Sequence, residues 1–448
     1  MRVAVIGSGY VGLVAGACFA SFGHTVRCLD TNAERVGAIE AGTAPFYEPG
    51  LDDLIKKGTS NGLLTASTDI EGGIRDSDVT FIAVGTPDED GAIDLAQVRG
   101  AAQTVGRALA GRSDYHVVVT KSTVTPGTCE NVVAKEVFEV SKRPAGDIGI
   151  CMNPEFLRQG FAVGDFLNPD RVVVGASDER AAEVVMGLYD SVDAPRISTT
   201  LANAELIKYA SNALLATMIS FSNEIANVCE QTPGTDVAVV LNGVHLDRRI
   251  TVATEHGPVT PGLVSYLMAG GGFGGSCLPK DVKALTAFAD ERGVAAPLMR
   301  AALEINDGRA ARVVDMAEDA AGPLAGRTVA LVGLAFKAGT DDARDSPAIA
   351  IVQVLRARGA HVVAWDPQVR ASDPAIPDSV ELVEDTAALF ADAACCVIAT
   401  AWPEVADWDW AVLARTMTAP VIVDSRHVID ADRLPDFVVY RTIGRCSA

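Results

Sequence analysis

No CxxC pair occurs in this sequence, its six histidines form no metal-spaced cluster, and its nine cysteines are scattered and odd in number. Neither a zinc site nor a disulfide framework is therefore expected. Positive charge is also scarce: 37 Lys and Arg stand against 58 Asp and Glu, a formal net charge of −21. That excludes nucleic-acid binding through a generally basic surface. A few local cations or a helix N-terminus can still hold a phosphate. No apolar run reaches the length of a membrane span. Residue 1 leads straight into the strand-like RVAVIG, so no signal peptide is expected. No low-complexity tract interrupts the chain. These absences leave a reduced, cytoplasmic protein of 448 residues, 49% hydrophobic, long enough for two or three domains.

The first half alternates short β-branched runs with helix-length segments. VAVIG (3–7), TVRCLD (25–30), VTFIAVG (79–85), YHVVVTKS (115–122), IGICMNP (148–154) and RVVVG (171–175) are the expected strands. Near-continuous apolar strands separated by helices predict a parallel sheet covered on both faces. From 201 to 231 the pattern changes to a run rich in Ala, Leu, Ile and Met, stopped by Pro233-Gly234. It predicts one helix on the order of 45 Å long, enough to pass from one domain to another. Helical segments continue to about residue 320. Near Gly326 the alternation resumes with RTVALVGLAFK (327–337), HVVAWDP (361–367), CCVIAT (395–400) and VIVDSR (421–426). RVAVIGSGY…GHTVRCLD and RTVALVGLAF…GAHVVAWDP share the order strand, helix, Gly, strand, acid. The fold class expected is α/β, with two Rossmann-like doubly wound domains joined by a long central helix and a helical middle domain.

Gly7, Gly9 and Gly12 stand in GxGxxG spacing between a strand and a helix. The first glycine suits a tight turn, the second admits a pyrophosphate to the backbone, and the third lets helix and sheet pack closely. The second strand ends on Asp30, where a carboxylate can bind a ribose 2′-hydroxyl and would repel a 2′-phosphate. NAD is thus favoured over NADP. Further strand ends on the same predicted edge, VGTP with Gly85 and Thr86 and KSTV with Thr123, are read as cofactor contacts. The loop GGFGGSCLPKD (271–281) places one thiol, Cys277, beside Lys280 and Asp281. A neighbouring cation eases thiolate formation, and the thiolate is the reactive form. Lys208 and Asn212, four apart on the long helix, share a face and suit the stabilisation of a developing oxyanion.

Eight elements stand in order: GSGYVGLV, EPGL (48–51), VGTP, KSTV, NPEFLRQG (153–160), ANAELIKYASNA (202–213), GGFGGSCLPKD and GLAFKAGTDDARDSPA (333–348). On these the chain closely resembles the UDP-glucose/GDP-mannose dehydrogenase family over nearly its whole length. The resemblance implies an NAD-binding Rossmann domain at 1–200, a central helical dimerisation domain with the cysteine loop at 201–320, and a nucleotide-sugar domain at 321–448. It implies four-electron oxidation of a sugar CH₂OH to carboxylate with two NAD⁺, through a Cys277 thiohemiacetal and thioester. UDP-glucose is the favoured substrate. GDP-mannose or another sugar nucleotide is the alternative, and a non-catalytic nucleotide-sugar-binding relative is the reading from a different class.

Residue roles carry over by motif. Lys208 and Asn212 resemble the oxyanion-stabilising pair. Asp281, Thr123 and Glu155 resemble the groups that hold and activate water, one carboxylate serving as general base. Gly7, Gly9, Tyr10, Val11, Gly12, Asp30, Arg35, Gly85, Thr86, Thr123, Lys280 and Arg344 are the implied cofactor contacts. Glu155, Phe156, Leu157, Arg158, Lys208, Asn212, Tyr266, Gly270, Gly272, Phe336, Lys337 and Arg426 are the implied substrate contacts. Arg249 resembles an arginine donated across a dimer interface, and a homodimer or higher homo-oligomer is expected. No metal, membrane or nucleic acid is. The chain departs from the family pattern at Gln159, which replaces an acid and moves its role to Glu155. It also departs in the longer 251–263 link and at Met268, where a basic residue is common. These departures bear on the sugar nucleotide more than on the reaction.

Overall fold

The computed structural model describes residues 1–89, 91–254 and 257–446. Glu255 and His256, within the longer link, lie outside the described residues. The chain divides into two compact units, Met1–Ser211 and Asn212–Ala448.

The first unit is built on an eight-stranded sheet. Its order is Arg196–Thr199, Val172–Ala176, Ile148–Met152, His116–Thr120, Val79–Ile82, Arg2–Ile6, Thr25–Leu29 and Leu64–Ser67. Alternate residues of each strand face opposite sides, and both sides are covered here. Val3, Val5, Val117 and Val119 join one buried cluster with the helix Tyr10–Ser21, which is buried all round from Gly12 to Ala20. Ala4, Ile6, Ile82 and Val118 join a second cluster on the other face, with Val98, Ala102 and Val105 from the helix Ala96–Leu109. Burial on both faces is why these strands read as unbroken apolar runs.

One pair departs from the all-parallel expectation. Val172–Ala176 runs antiparallel to Ile148–Met152, with Met152 opposite Gly175. The connecting segment 153–171 stays at the end of the sheet. The Glu48 carboxylate accepts the N–H groups of Gly160 and Ala162, both at 2.7 Å, and the Tyr10 hydroxyl. The chain therefore re-enters the sheet from the end at which it left.

The second unit carries a six-stranded, fully parallel sheet. Its order is Val380–Leu382, His361–Trp365, Thr328–Val332, Cys395–Ile398, Val421–Asp424 and Val439–Thr442. The suspected repeat is visible bond by bond. Gly7 N–H donates to the Leu29 carbonyl and Gly333 N–H to the Trp365 carbonyl, each at 2.7 Å. Both glycines turn with positive φ, 93° and 90°. A Cβ on Gly7 would lie 2.6 Å from the Ala83 carbonyl oxygen, and one on Gly333 2.3 Å from Thr400 Cβ. The predicted long helix spans Leu201–Glu230.

The acid after the second strand recurs as well, with a different use. Asp366 is buried and accepts the N–H groups of Leu334, Ala335, Gln368 and Val369 and the Trp402 indole N–H, at 2.8–3.1 Å. It is the knot of its sheet end. Asp366→Ala leaves these buried donors without an acceptor and should cost about 3 kcal/mol or more. Urea unfolding of the purified chain checks this; an unchanged midpoint would contradict it.

Candidate active site

Gly7, Ser8 and Gly9 lead from the first strand into the helix at Tyr10. Gly12 lies so close to this turn that a Cβ would come within 1.9 Å of the Gly7 carbonyl oxygen. Gly9 is the helix N-cap, and no side chain caps the helix. A Cβ built on Gly9 meets nothing within 4 Å, so an anion can approach the open N–H groups. The Asp30 carboxylate accepts Ser8 N–H at 2.7 Å and Asn32 N–H at 2.9 Å, with Arg35 3.7 Å away. A carboxylate has about four acceptor positions, so capacity for a ribose hydroxyl pair remains. These residues fit a dinucleotide. Ser122 bonds the Val84 carbonyl at 2.7 Å and so ties KSTV to VGTP, bringing Thr123 beside the turn that holds Gly85 and Thr86.

Deeper in the first unit, Lys208 donates to Glu155 Oε1 at 2.8 Å, with both side chains buried. Glu155 Oε2 accepts Leu157 N–H at 2.6 Å. Burial pushes this carboxyl up, but the charge and hydrogen bond of Lys208, the Leu157 N–H and the charge of Lys121 together hold it below the usual range. Phe156 lies between cations, 3.9 Å from the Arg171 guanidinium and 5.6 Å from the Lys208 ammonium. Arg158 is forked onto Asp165.

In the second unit, Cys277 is exposed at the N-cap of the helix Leu278–Asp290. The N–H groups at such an end favour negative charge on sulfur. One turn on, Asp281 donates its N–H to the Cys277 carbonyl at 2.9 Å. Its buried carboxylate accepts Asn212 Nδ2 and Lys280 Nζ, both at 2.6 Å. Lys280, expected at the cofactor, is bonded to Asp281. Arg344 is forked onto Asp342. That hydrogen bond is the main reason it is held firmly protonated, and Cys277 also acts on its charge.

The Gly-rich loop is pinned at each residue from 270 to 273. Asn223 accepts Gly270 N–H, Arg309 donates to the Gly270 carbonyl, and Gly271 N–H donates to the Ser425 carbonyl. Arg426 donates to the Gly272 carbonyl, and Asn306 bonds both the N–H and the carbonyl of Phe273. Phe336 packs where a Gly275 Cβ would collide with its ring at 2.9 Å, and Lys337 Nζ lies 5.7 Å from that ring. Tyr266 is half-buried in the short helical turn Gly262–Tyr266. Arg249 is exposed and forked onto Asp247.

Lys208 and Asn212, expected to act as a pair, thus have separate partners, Glu155 and Asp281. Sequence reasoning gave no role to Lys121, Glu48, Asn306 or Arg309. Glu48 and Lys121 had a signal in their motifs, EPGL and KSTV; the other two had none.

Three models of the UDP-glucose/GDP-mannose dehydrogenase family match: its NAD binding domain at residues 1–193, its central domain at 202–308 and its UDP binding domain at 330–431. The chain belongs to the UDP-glucose/GDP-mannose dehydrogenase family. Within that family it is 40% identical to UDP-glucose 6-dehydrogenase TuaD of Bacillus subtilis, covering 99% of this chain and 93% of that one. It is 40% identical to the UDP-glucose 6-dehydrogenase of Rhizobium meliloti, covering 99% of this chain and all of that one. Among solved structures, a UDP-glucose dehydrogenase from Pyrobaculum islandicum superposes with a TM-score of 0.90 at 39% identity, covering 99% and 98% of the two chains.

Breaking one half of a buried ion pair leaves the other charge uncompensated. Lys208→Met should therefore destabilise the first unit by about 3–5 kcal/mol. The double variant Lys208→Met/Glu155→Leu should recover part of that loss. Urea midpoints for the three proteins check this, and a wild-type midpoint for Lys208→Met would contradict it.

Proposed function

We propose that this protein oxidises UDP-glucose to UDP-glucuronate. Two NAD⁺ accept the two hydrides. The observation that carries the reading is the helix start at Cys277, an exposed thiol with the buried Asp281 carboxylate one turn away. A protein that only binds nucleotide sugars has no use for that thiol. The relatives named above and the match to a UDP binding domain support the substrate.

In the chemistry we assign, the C6 hydroxyl gives up its proton and C6 a hydride, leaving an aldehyde. Lys208 and Asn212 hydrogen-bond its oxygen. Cys277 Sγ bonds to the aldehyde carbon and the oxygen takes up the proton, giving a thiohemiacetal. Loss of the second hydride, with the hydroxyl proton, gives a thioester. Water adds, the C–S bond breaks, sulfur is reprotonated and the acid leaves. We assign proton transfer at sulfur and water to the Asp281 carboxylate oxygens. Glu155, held ionised, orients Lys208, and Thr123 orients the water. The glycine turn, Tyr10, Val11, Asp30, Arg35, Gly85, Thr86 and Arg344 are assigned to the cofactor. Phe156, Leu157, Arg158, Tyr266, Gly270, Gly272, Phe336, Lys337 and Arg426 are assigned to the substrate.

We further assign the segments 1–200, 201–320 and 321–448 to cofactor binding, dimerisation and nucleotide-sugar binding, a division supported by the spans of the three family models. A cytoplasmic location fits a protein in which seven of nine cysteines are buried. Among the described residues, no helix is long and apolar enough to cross a membrane. A homodimer is supported by the long helix, where Leu214, Phe221 and Val228 are 55%, 45% and 60% exposed at seven-residue spacing. Val239 and Leu246 are exposed as well. Arg249 is the residue we assign to the partner's site.

With limiting UDP-glucose and excess NAD⁺, two NADH should form per sugar, with acid as product. Cys277→Ser should lose acid formation. One NADH per sugar in the wild type would mean the reaction stops at the aldehyde. None with UDP-glucose but two with GDP-mannose would keep the mechanism and move the substrate. Phe221→Glu should convert a dimer to a monomer by light scattering; a monomeric wild type would remove the dimer.

A further inference from the structure

Lys121 follows the strand His116–Thr120 and turns its side chain inward, where it is 2% exposed. Its ammonium donates to the Asn153 carbonyl at 3.3 Å and to Asn153 Oδ1 at 3.0 Å. Asn153 closes the neighbouring strand. Its N–H reaches the Thr120 carbonyl, its Nδ2 the Val173 carbonyl at 2.8 Å, and its Oδ1 also accepts the Tyr189 hydroxyl at 2.6 Å. Lys121 is thus a strut between two strand ends, and the second leads within two residues to Glu155.

The surroundings of this ammonium are otherwise poor in compensation. The Phe166 ring lies 5.5 Å away. The groups that act on its charge are Glu155, Lys208 and Cys18, of which only Glu155 is a carboxylate. A lysine that served packing alone would be better replaced by an apolar residue, since burying an ammonium is costly without a counter-charge.

We propose that Lys121 is a positioning residue of the reaction centre, which fixes the strand end bearing Glu155 and, together with Lys208, holds that carboxylate as an anion. The proposal rests on the roles given above to Glu155 and Lys208. Burial lowers the Lys121 pKa to about 8, against the pull of Glu155, so the ammonium is charged in neutral and acidic solution. Burial pushes Glu155 the other way, and Lys121 is among the groups that bring it back down. Removing this charge must raise the pH at which Glu155 takes a proton and its grip on Lys208 weakens.

The test is kcat against pH for the wild type, Lys121→Gln and Lys121→Gln/Glu155→Gln, at saturating UDP-glucose and NAD⁺. Glutamine keeps an N–H donor for Asn153 and removes the charge. The acid limb should move to higher pH in Lys121→Gln, because a positive charge that favours the Glu155 anion is gone. The upward shift should be absent from the double variant, and the KM for NAD⁺ should stay within about twofold, because the cofactor contacts are untouched. If Lys121→Gln does not fold, Lys121→Met is read in its place. An unmoved limb in whichever variant folds, or failure of both to fold, would overturn the proposal in favour of a purely structural lysine. Wild-type turnover separates the two ideas. No NADH from the wild type removes the functional reading, whereas turnover with an unmoved limb removes only the role of Lys121.

Discussion

The buried contact between Lys208 and Glu155, at 2.8 Å, constrains what surrounds it. A pair taken out of water repays its desolvation only when geometry is tight and the remaining polar atoms are satisfied. Both conditions are met by neighbouring structure. Glu155 sits at a sheet end whose loop is tied back by Glu48, and its second oxygen is taken by Leu157 N–H. Lys208 sits on a helix whose first turns are anchored by Glu205, buried and accepting the N–H groups of Gly127 and Cys129 at 2.6 and 2.7 Å. Burial is strong enough there to raise the Glu205 carboxyl, despite those bonds. One helix thus carries both an anchor and a candidate reactive group, and the antiparallel strand at 172–176 follows from the same tied loop.

The two sheets share a topology and differ in how they use it. Asp30 and Asp366 occupy the same place after the second strand. Asp366 is consumed by five donors inside its own unit, among them the Trp402 indole. Asp30 accepts two backbone N–H groups and stands beside a bare helix N-terminus. A single fold therefore yields one sheet end with acceptor capacity for a ligand and one that is closed upon itself. The difference lies in which groups surround an identical carboxylate, which is the sense in which function is grafted on a fold.

The strands legible in the sequence are the interior ones. Within the two large sheets, those missed, Leu64–Ser67, Arg196–Thr199, Val380–Leu382 and Val439–Thr442, are the four edges; the short ribbons Asp88–Glu89 with Ala92–Ile93 and Val252–Thr254 with Gly257–Val259 were missed as well. An edge strand lacks burial on both faces and carries polar residues such as Arg196, Glu381 and Arg441, so no apolar run announces it. The candidate site divides in the same way. Cys277 and Asp281 share one helix turn, and the GxGxxG turn is local, so sequence spacing sufficed for both. The partners of Lys208 and Asn212 come from 53 and 69 positions away along the chain, and no periodicity encodes such a meeting. Lys121 read as part of a cofactor motif because its burial against Asn153 depends on two strands pairing.

The glycine loop before Cys277 presents an apparent contradiction. Glycine loses more conformational freedom on ordering than any other residue, so a run of glycines is a poor leash for a nucleophile unless something else orders it. Here the ordering is external: Asn223, Asn306, Arg309, Ser425 and Arg426 bond the loop backbone from 270 to 273. Any side chain at Gly272 would strike Asn306 Oδ1 at 2.7 Å, so the glycines are what lets these groups approach. Two of them are guanidiniums whose burial lowers their pKa to about 10, which means that cations have been desolvated to grip peptide carbonyls. That cost has a return only if the position of the loop matters more than the stability it subtracts. A thiol that must meet a carbon within bonding distance sets such a requirement, since a misplacement of about 1 Å can slow a reaction about a hundredfold. Rigidity supplied by buried partners, with glycine providing only the space, is therefore consistent with a nucleophile at Cys277 and gains nothing for an inert surface cysteine.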